Sequence, residues 1–191
     1  MAQDSNLIVA GTGKPGGYIF RAPAGTTLPT DETTALDPAF INQGYASSDG
    51  LSRAITKAYE VIRDWNGDEV KRLKTETSVT LTFTLIQAAD PNVLKAKFGD
   101  GAVTVAGTKI TVAYKGEDAP AGPWDFELKD GDSVRRIVAP NAKDVTEDFT
   151  QEMTAGAVVG IPITLTLYKD ASGVFFYDYA DSGVESSSSS S

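Results

Sequence analysis

The sequence predicts a mainly β protein, a β-sandwich or barrel with one short flanking α-helix and a long β-hairpin. Three observations lead there. Residues 78–85 alternate strictly, with Val79, Leu81, Phe83 and Leu85 to one side and Ser78, Thr80, Thr82 and Thr84 to the other. Residues 161–168 repeat the pattern, with Ile161, Ile163, Leu165 and Leu167 opposite Thr164, Thr166 and Tyr168. A period of two marks a half-buried strand, since successive side chains leave opposite faces. Asn66-Gly67 sits between two β-like runs and is the strongest short hairpin signal in the chain.

The remaining elements follow in order. Tyr18-Ile19-Phe20-Arg21-Ala22 is a β-like run closed by Pro23, after a glycine-rich opening. Residues 24–38, rich in Thr, Pro and Asp, read as a long surface loop. Residues 40–47 make a plausible strand ended by Asp49-Gly50. Residues 51–65 alternate imperfectly, with Ile55, Tyr59 and Val61 in one parity and Lys57 interrupting. Residues 69–75 return as a charged strand. Asp90 as N-cap, Pro91 at the first helical position and Gly99 as terminator frame the single helix, which should close one end or side of the sandwich. Strands are expected at 103–105, 109–114, 124–128 and 134–139, with Asp130-Gly131 turning between the last two. A polar strand is expected at 143–149 and a final one at 174–179. The organisation expected is an N-terminal arm (1–17), a β domain (18–182) and a disordered serine-rich tail (183–191).

Composition removes several chemistries. The 191 residues contain no cysteine and no histidine. Disulfides, thiolate zinc sites and every Ser-His or Cys-His catalytic arrangement are therefore excluded. Hydrophobic residues make up 41% of the chain, enough for a core. The net charge of −9 argues against tight wrapping of nucleic acid, whose phosphates call for Lys and Arg. The N-terminus lacks the pattern of a signal peptide, and no apolar run approaches the ~20 residues of a membrane-spanning helix, so no membrane partner is expected.

Local motifs fail on context. Gly11 to Gly16 matches G-x-G-x-x-G, but Pro15 lies within it and β-forming residues follow, so no dinucleotide-binding helix opens there. Asp130-Gly131-Asp132 is not a calcium loop, because the following ligand positions hold Val134, Arg136 and Val138. The carboxylate pairs Asp64/Asp68 and Glu147/Asp148 have nothing placing them in a pocket. No cofactor and no catalytic activity are expected. Trp65, beside Asn66-Gly67, is more informative. A tryptophan at a hairpin tip either folds back on its own domain or docks into a neighbouring subunit.

Residues 59–99 resemble the major tail proteins of long-tailed phages. The shared features are an Ile-x-x-Trp hairpin tip at Ile62 to Trp65, a threonine-studded strand at 78–85, and a short helix ending at Gly99. Two further blocks are similar, in the family's order: Val134-Arg135-Arg136-Ile137-Val138-Ala139-Pro140-Asn141-Ala142 followed by 160–167, and the opening 18–29. The resemblance implies a β-sandwich of tail-tube type. Its inner sheets would join five others in a hexameric ring, and rings would stack into a tube that conducts double-stranded DNA without specific binding.

It also implies assembly in the host cytoplasm into a virion. The expected partners are other copies, a tape-measure protein, a tail terminator and baseplate or tip proteins. The tip residues Asp64, Trp65, Asn66, Gly67 and Asp68 are expected to bridge rings. Glu60, Asp64, Asp68, Glu69 and Glu76 are candidates for an acidic lumen; the competing reading is that they are ordinary solvated charges. The threonine faces suit a water-exposed barrel wall or the outside of the tube. The 24–38 loop and the arm are expected to order on assembly. Alternatives are a terminator or decoration protein, a β-sandwich binding module, or a carboxylate-dependent hydrolase.

Overall fold

The computed structural model describes residues 12–15 and 17–182. Most of the expected arm and all of the serine-rich tail lie outside them. Ten strands and one helix appear in the order β1 (Ile19–Arg21), β2 (Ile41–Asn42), β3 (Ser52–Arg63), β4 (Glu69–Leu85), α1 (Pro91–Phe98), β5 (Val103–Ala106), β6 (Lys109–Val112), β7 (Gly122–Asp130), β8 (Ser133–Asp144), β9 (Ile161–Leu167) and β10 (Tyr177–Asp181). The predicted mainly β class and long hairpin are present, and α1 is the single α-helix among the described residues, followed by a 3-10 turn at Asp100–Ala102.

The main sheet runs β2-β1-β7-β8-β9-β4-β3, with β10 also on β8; β5 and β6 form a separate ribbon. Strand β8 joins two layers. Its first half pairs with β10 from Val134 to Val138, and its end pairs with β9 from Ala142 to Asp144. Pro140 falls where β8 changes partner, a place that tolerates a missing ladder donor. Strands that pass from one layer to the next make the corners of a sandwich.

The alternation in the sequence places the core. Val79, Leu81, Phe83 and Leu85 of β4 and Ile161, Ile163, Leu165 and Leu167 of β9 are all buried. The Phe83 ring meets Trp124 and Phe126 of β7 edge-on, with centroids 5.7 and 5.4 Å apart, and so locks the two layers together. Helix α1 covers this core with Val93 and Ala96. Asp90 caps it by accepting from the Asn92 N–H at 2.8 Å.

Several expected boundaries moved, each for a local reason. Only Ile41–Asn42 of the 40–47 stretch is a strand, because Asn42 accepts from the Gly44 N–H and Gly44 turns at φ +76°. The expected strand at 143–149 ends at Asp144, whose carboxylate accepts from the Thr146 N–H and hydroxyl and bends the chain away. The final strand starts at Tyr177 because the Asp170 carboxylate accepts from the Ser172 and Val174 N–H groups and holds a turn before it. The 69–75 and 78–85 runs are one continuous strand of 17 residues.

The 24–38 loop contains no strand or helix. It is nevertheless pinned within one chain. Arg136 donates to the carbonyls of Asp31 and Thr34 at 2.8 and 2.6 Å. The Asp31 carboxylate accepts from the Thr33 and Thr34 N–H groups and the Thr33 hydroxyl; the Thr34 hydroxyl first, then the Thr33 hydroxyl and the two N–H groups, hold it down to a pKa of about 2.

Candidate functional site: a projecting two-stranded ribbon

Beyond the point where β4 leaves β9, at Val79 opposite Leu167, β3 and β4 continue as a free ribbon. Nearly every ribbon residue from Ala54 to Glu76 is exposed, whichever face it occupies. Isolated two-stranded ribbons are marginal in water. This one also carries apolar side chains into solvent: Ile55, Tyr59, Val61, Ile62, Val70 and Leu73 are all exposed.

The register sorts these side chains. Ile55 lies opposite Val79, Tyr59 opposite Lys74 and Val61 opposite Arg72. These residues continue the core-facing side of β4. Thr56 lies opposite Ser78, Ala58 opposite Glu76 and Glu60 opposite Leu73, which continues the threonine side. Two register shifts, at Ala58/Tyr59 and Ile62/Arg63, leave an extra residue in β4 each time. Bulges of this kind sharpen the twist of a ribbon and roughen its free edge.

The tip is wider than a two-residue hairpin. The Asp64 N–H donates to the Asp68 carbonyl at 2.9 Å, and the Asp64 carboxylate accepts from the Asn66 and Asp68 N–H groups at 3.0 and 2.8 Å. Gly67 alone turns left-handed, at φ +89°, and Arg63 donates to its carbonyl. Asp64, Asn66, Gly67 and Asp68 thus spend their polar groups or backbone freedom on holding the turn. Trp65 does not fold back: its relative exposure is 103%.

The five candidate lumen acids are all exposed on this ribbon but do not share a face. Glu60 and Glu76 lie on the threonine side. Glu69 lies opposite Arg63 and takes a two-pronged pair of bonds from Arg72 at 3.0 and 3.1 Å. Asp64 and Asp68 are at the tip. The threonine side itself is open: Thr80 and Thr82 of β4 sit opposite Thr166 and Thr164 of β9, and all four are at least partly exposed.

Sequence reasoning missed a buried charge cluster under the 24–38 loop. Asp125 and Glu127 of β7 and Arg136 of β8 are all buried. Glu127 bonds Arg136 and also takes Lys14 at 2.6 Å. Arg136 Nε approaches Asp125 at 3.5 Å without hydrogen-bond geometry, and neither Asp125 oxygen has a hydrogen-bond partner. Burial pushes the Asp125 carboxyl up to about 7. Lys14 also brings the end of the glycine-rich opening onto the edge of β7, where Gly13 bridges Leu128. That places Gly13 and Lys14 against a strand edge rather than at a helix start.

Among the described residues, no group of three or more Asp or Glu is placed to hold a metal ion. No described helix is long and apolar enough to cross a membrane. Asp64/Asp68 and Glu147/Asp148 are exposed.

The chain is a layered antiparallel β protein from which an apolar-bearing two-stranded ribbon projects. The chain matches the family described as phage tail tube protein over residues 1–181. It belongs to that family and is a structural component of the phage tail, and hence of the virion. No curated protein matches the chain.

Proposed function

We propose that this chain assembles into hexameric rings that stack into a tail tube, the conduit through which double-stranded DNA leaves the particle. The observation that carries the reading is the ribbon. It exposes apolar residues on both faces and a bare tryptophan at its tip, which costs free energy unless other copies cover it. Head-to-tail contacts between unlike surfaces do not close on themselves and so propagate into a filament. The tip, Asp64 to Asp68 with Trp65 at its apex, bridges one ring to the next.

In this reading the threonine side of β4 and β9 lines the lumen. Hydroxyls keep that wall wet. Glu60 and Glu76, on the same side of the ribbon, repel phosphates over about a Debye length, roughly 8 Å at physiological salt. Asp64, Asp68 and Glu69 sit nearer the inter-ring contact. Assembly takes place in the host cytoplasm, with a tape-measure protein inside the growing tube, a terminator at one end and tip or baseplate proteins at the other. No cofactor takes part, and the chain performs no catalysis.

Negative-stain electron microscopy of the concentrated pure protein tests this. Tubes with sixfold end views are expected. A permanent monomer, or isolated rings that never stack, would overturn it.

A further inference from the structure

A groove of about 630 Å³ opens between the end of α1, the end of β6 and the chain following β8. Its walls are aromatic. The Phe98 ring stands edge-on to both Tyr114 and Phe149, at 5.6 Å from each. Tyr114 is 61% exposed, so this aromatic wall is open to solvent. Its rim is acidic, formed by Glu117, Asp118 and Glu147. The lining cation Lys97 is already committed to Asp144 at 2.8 Å, and Lys143 pairs with Asp118 at 3.0 Å. Glu117 and Glu147 are exposed and have no ion-pair partner among the described residues. The chain beyond, 150–160, adds Glu152, no Lys or Arg, and the exposed Met153 and Val158.

The core-facing side of the ribbon has the opposite character. Tyr59 and Val61 are flanked by Lys57, Lys74 and Arg72, with Glu69 the only anion on that side of the stem. From 54 to 76 the chain carries five Lys or Arg and five Asp or Glu, a net charge of zero, so the whole −9 lies outside the ribbon. The ribbon is thus a neutral, apolar projection from an acidic body, with cations gathered on its core-facing side.

The groove and the ribbon face belong to different levels of the molecule. Asp144, at the groove, lies opposite Leu165, which lies opposite Leu81. Lys74 is about seven residues further along β4, roughly 23 Å at strand rise. The ribbon continues β3 and β4 away from the level of Asp144, so a chain does not bring its own ribbon into its own groove.

We propose that the groove walled by Phe98, Tyr114 and Phe149 receives the Lys57–Tyr59–Val61–Lys74 face of the ribbon from a second copy of this chain. Lysine stems lie along the aromatic walls, ammonium groups reach Glu117 and Glu147, and cation–π attraction adds to the ion pairs. The two surfaces are unlike, so the contact is head-to-tail and is repeated by every copy. This rests on the self-assembly reading and goes past it by naming both contacting surfaces.

A charge-swap series tests it. Lys57→Glu with Lys74→Glu reverses the ribbon. Glu117→Lys with Glu147→Lys reverses the rim. A third protein carries all four changes. All four positions are exposed, so thermal melting of the unassembled chains should be unchanged, which separates misfolding from lost assembly. Each double variant is expected to lower tube yield at least tenfold, by sedimentation and electron microscopy. The fourfold variant is expected to recover at least half of it. Wild-type tubes together with normal assembly of either double variant, or no recovery in the fourfold variant, would overturn this contact and leave the tube reading standing. A wild-type protein that never polymerises would overturn both.

Discussion

Arg53 donates to Asp178 at 2.8 Å and so ties the root of the ribbon to the last strand. Arg135 donates to the same carboxylate at 2.8 and 2.7 Å, and the Arg53 guanidinium lies 4.5 Å over the Phe176 ring. Burial alone would raise the Asp178 pKa, but the bonds from Arg135 and Arg53 outweigh it and hold the group below its ordinary value. The root of the ribbon is therefore anchored to β10 by a partly buried ion triad.

Asp178→Asn should cost about 1–2 kcal/mol of stability at pH 7, a range discounted for solvent screening. Because the folded-state pKa is depressed, the charged carboxylate's contribution is complete above the ordinary carboxylate range. It is lost as pH falls through the lowered value. Urea denaturation at pH 7 and again near pH 2.5 checks this: the gap between variant and wild type should shrink in acid.

Trp65→Ala should leave the melting temperature of the unassembled chain within ~1 °C of wild type, since a fully exposed ring leaves no cavity behind. Assembly is where the loss should fall. An interface tryptophan is commonly worth about 2 kcal/mol or more, or roughly 30-fold in the concentration needed to form tubes. Sedimentation across a concentration series measures that threshold, and an unchanged one would place Trp65 outside the contact.

Gly122→Ala should destabilise the fold itself. A Cβ added there would stand 2.5 Å from the Ala22 backbone carbonyl oxygen, beside the irregular β7–β8 pairing between Gly122 and Trp124. Backbone yields less readily than a side chain, so about 1–3 kcal/mol is expected. By contrast Gly131→Ala has open space and is limited by its positive φ of 58°. Urea midpoints of the two variants separate overpacking from backbone strain.

What was legible in the sequence depended on whether one face of an element was enough to define it. The alternation of 78–85 and 161–167 gave the core residues directly, and Asp90-Pro91 to Gly99 gave the helix ends. The 40–47 and 143–149 stretches failed because Asn42 and Asp144 bend the backbone with their own side chains, an effect that hydrophobic periodicity does not register. Trp65 at the tip was readable. The Asp125, Glu127 and Arg136 cluster was not. Local alternation with Trp124, Phe126 and Leu128 says nothing of the burial of these charges, which involves Lys14 and the distant 24–38 loop held by Arg136. The groove of Phe98, Tyr114 and Phe149 brings together three separate stretches, which no local pattern announces.

Asp125→Asn should stabilise the protein at pH 8. The carboxylate is fully buried on β7. The titratable and charged groups near it are Arg136 from β8, Glu127 from its own strand and Lys14 from the N-terminal segment. Burial raises its pKa to about 7, from an unfolded value near the ordinary 3.8. Between those two values the folded state keeps a proton that the unfolded state has released. Stability therefore falls as pH rises through that window, by an upper limit of about 4 kcal/mol at ~1.4 kcal/mol per pH unit. Asparagine has no such proton to lose, so the variant's stability should be flatter from pH 4 to 7 and should exceed wild type above it. Denaturant titrations at pH 5 and pH 8 decide the matter. A variant weaker than wild type at pH 8 would mean that Arg136 needs the Asp125 charge more than burial opposes it.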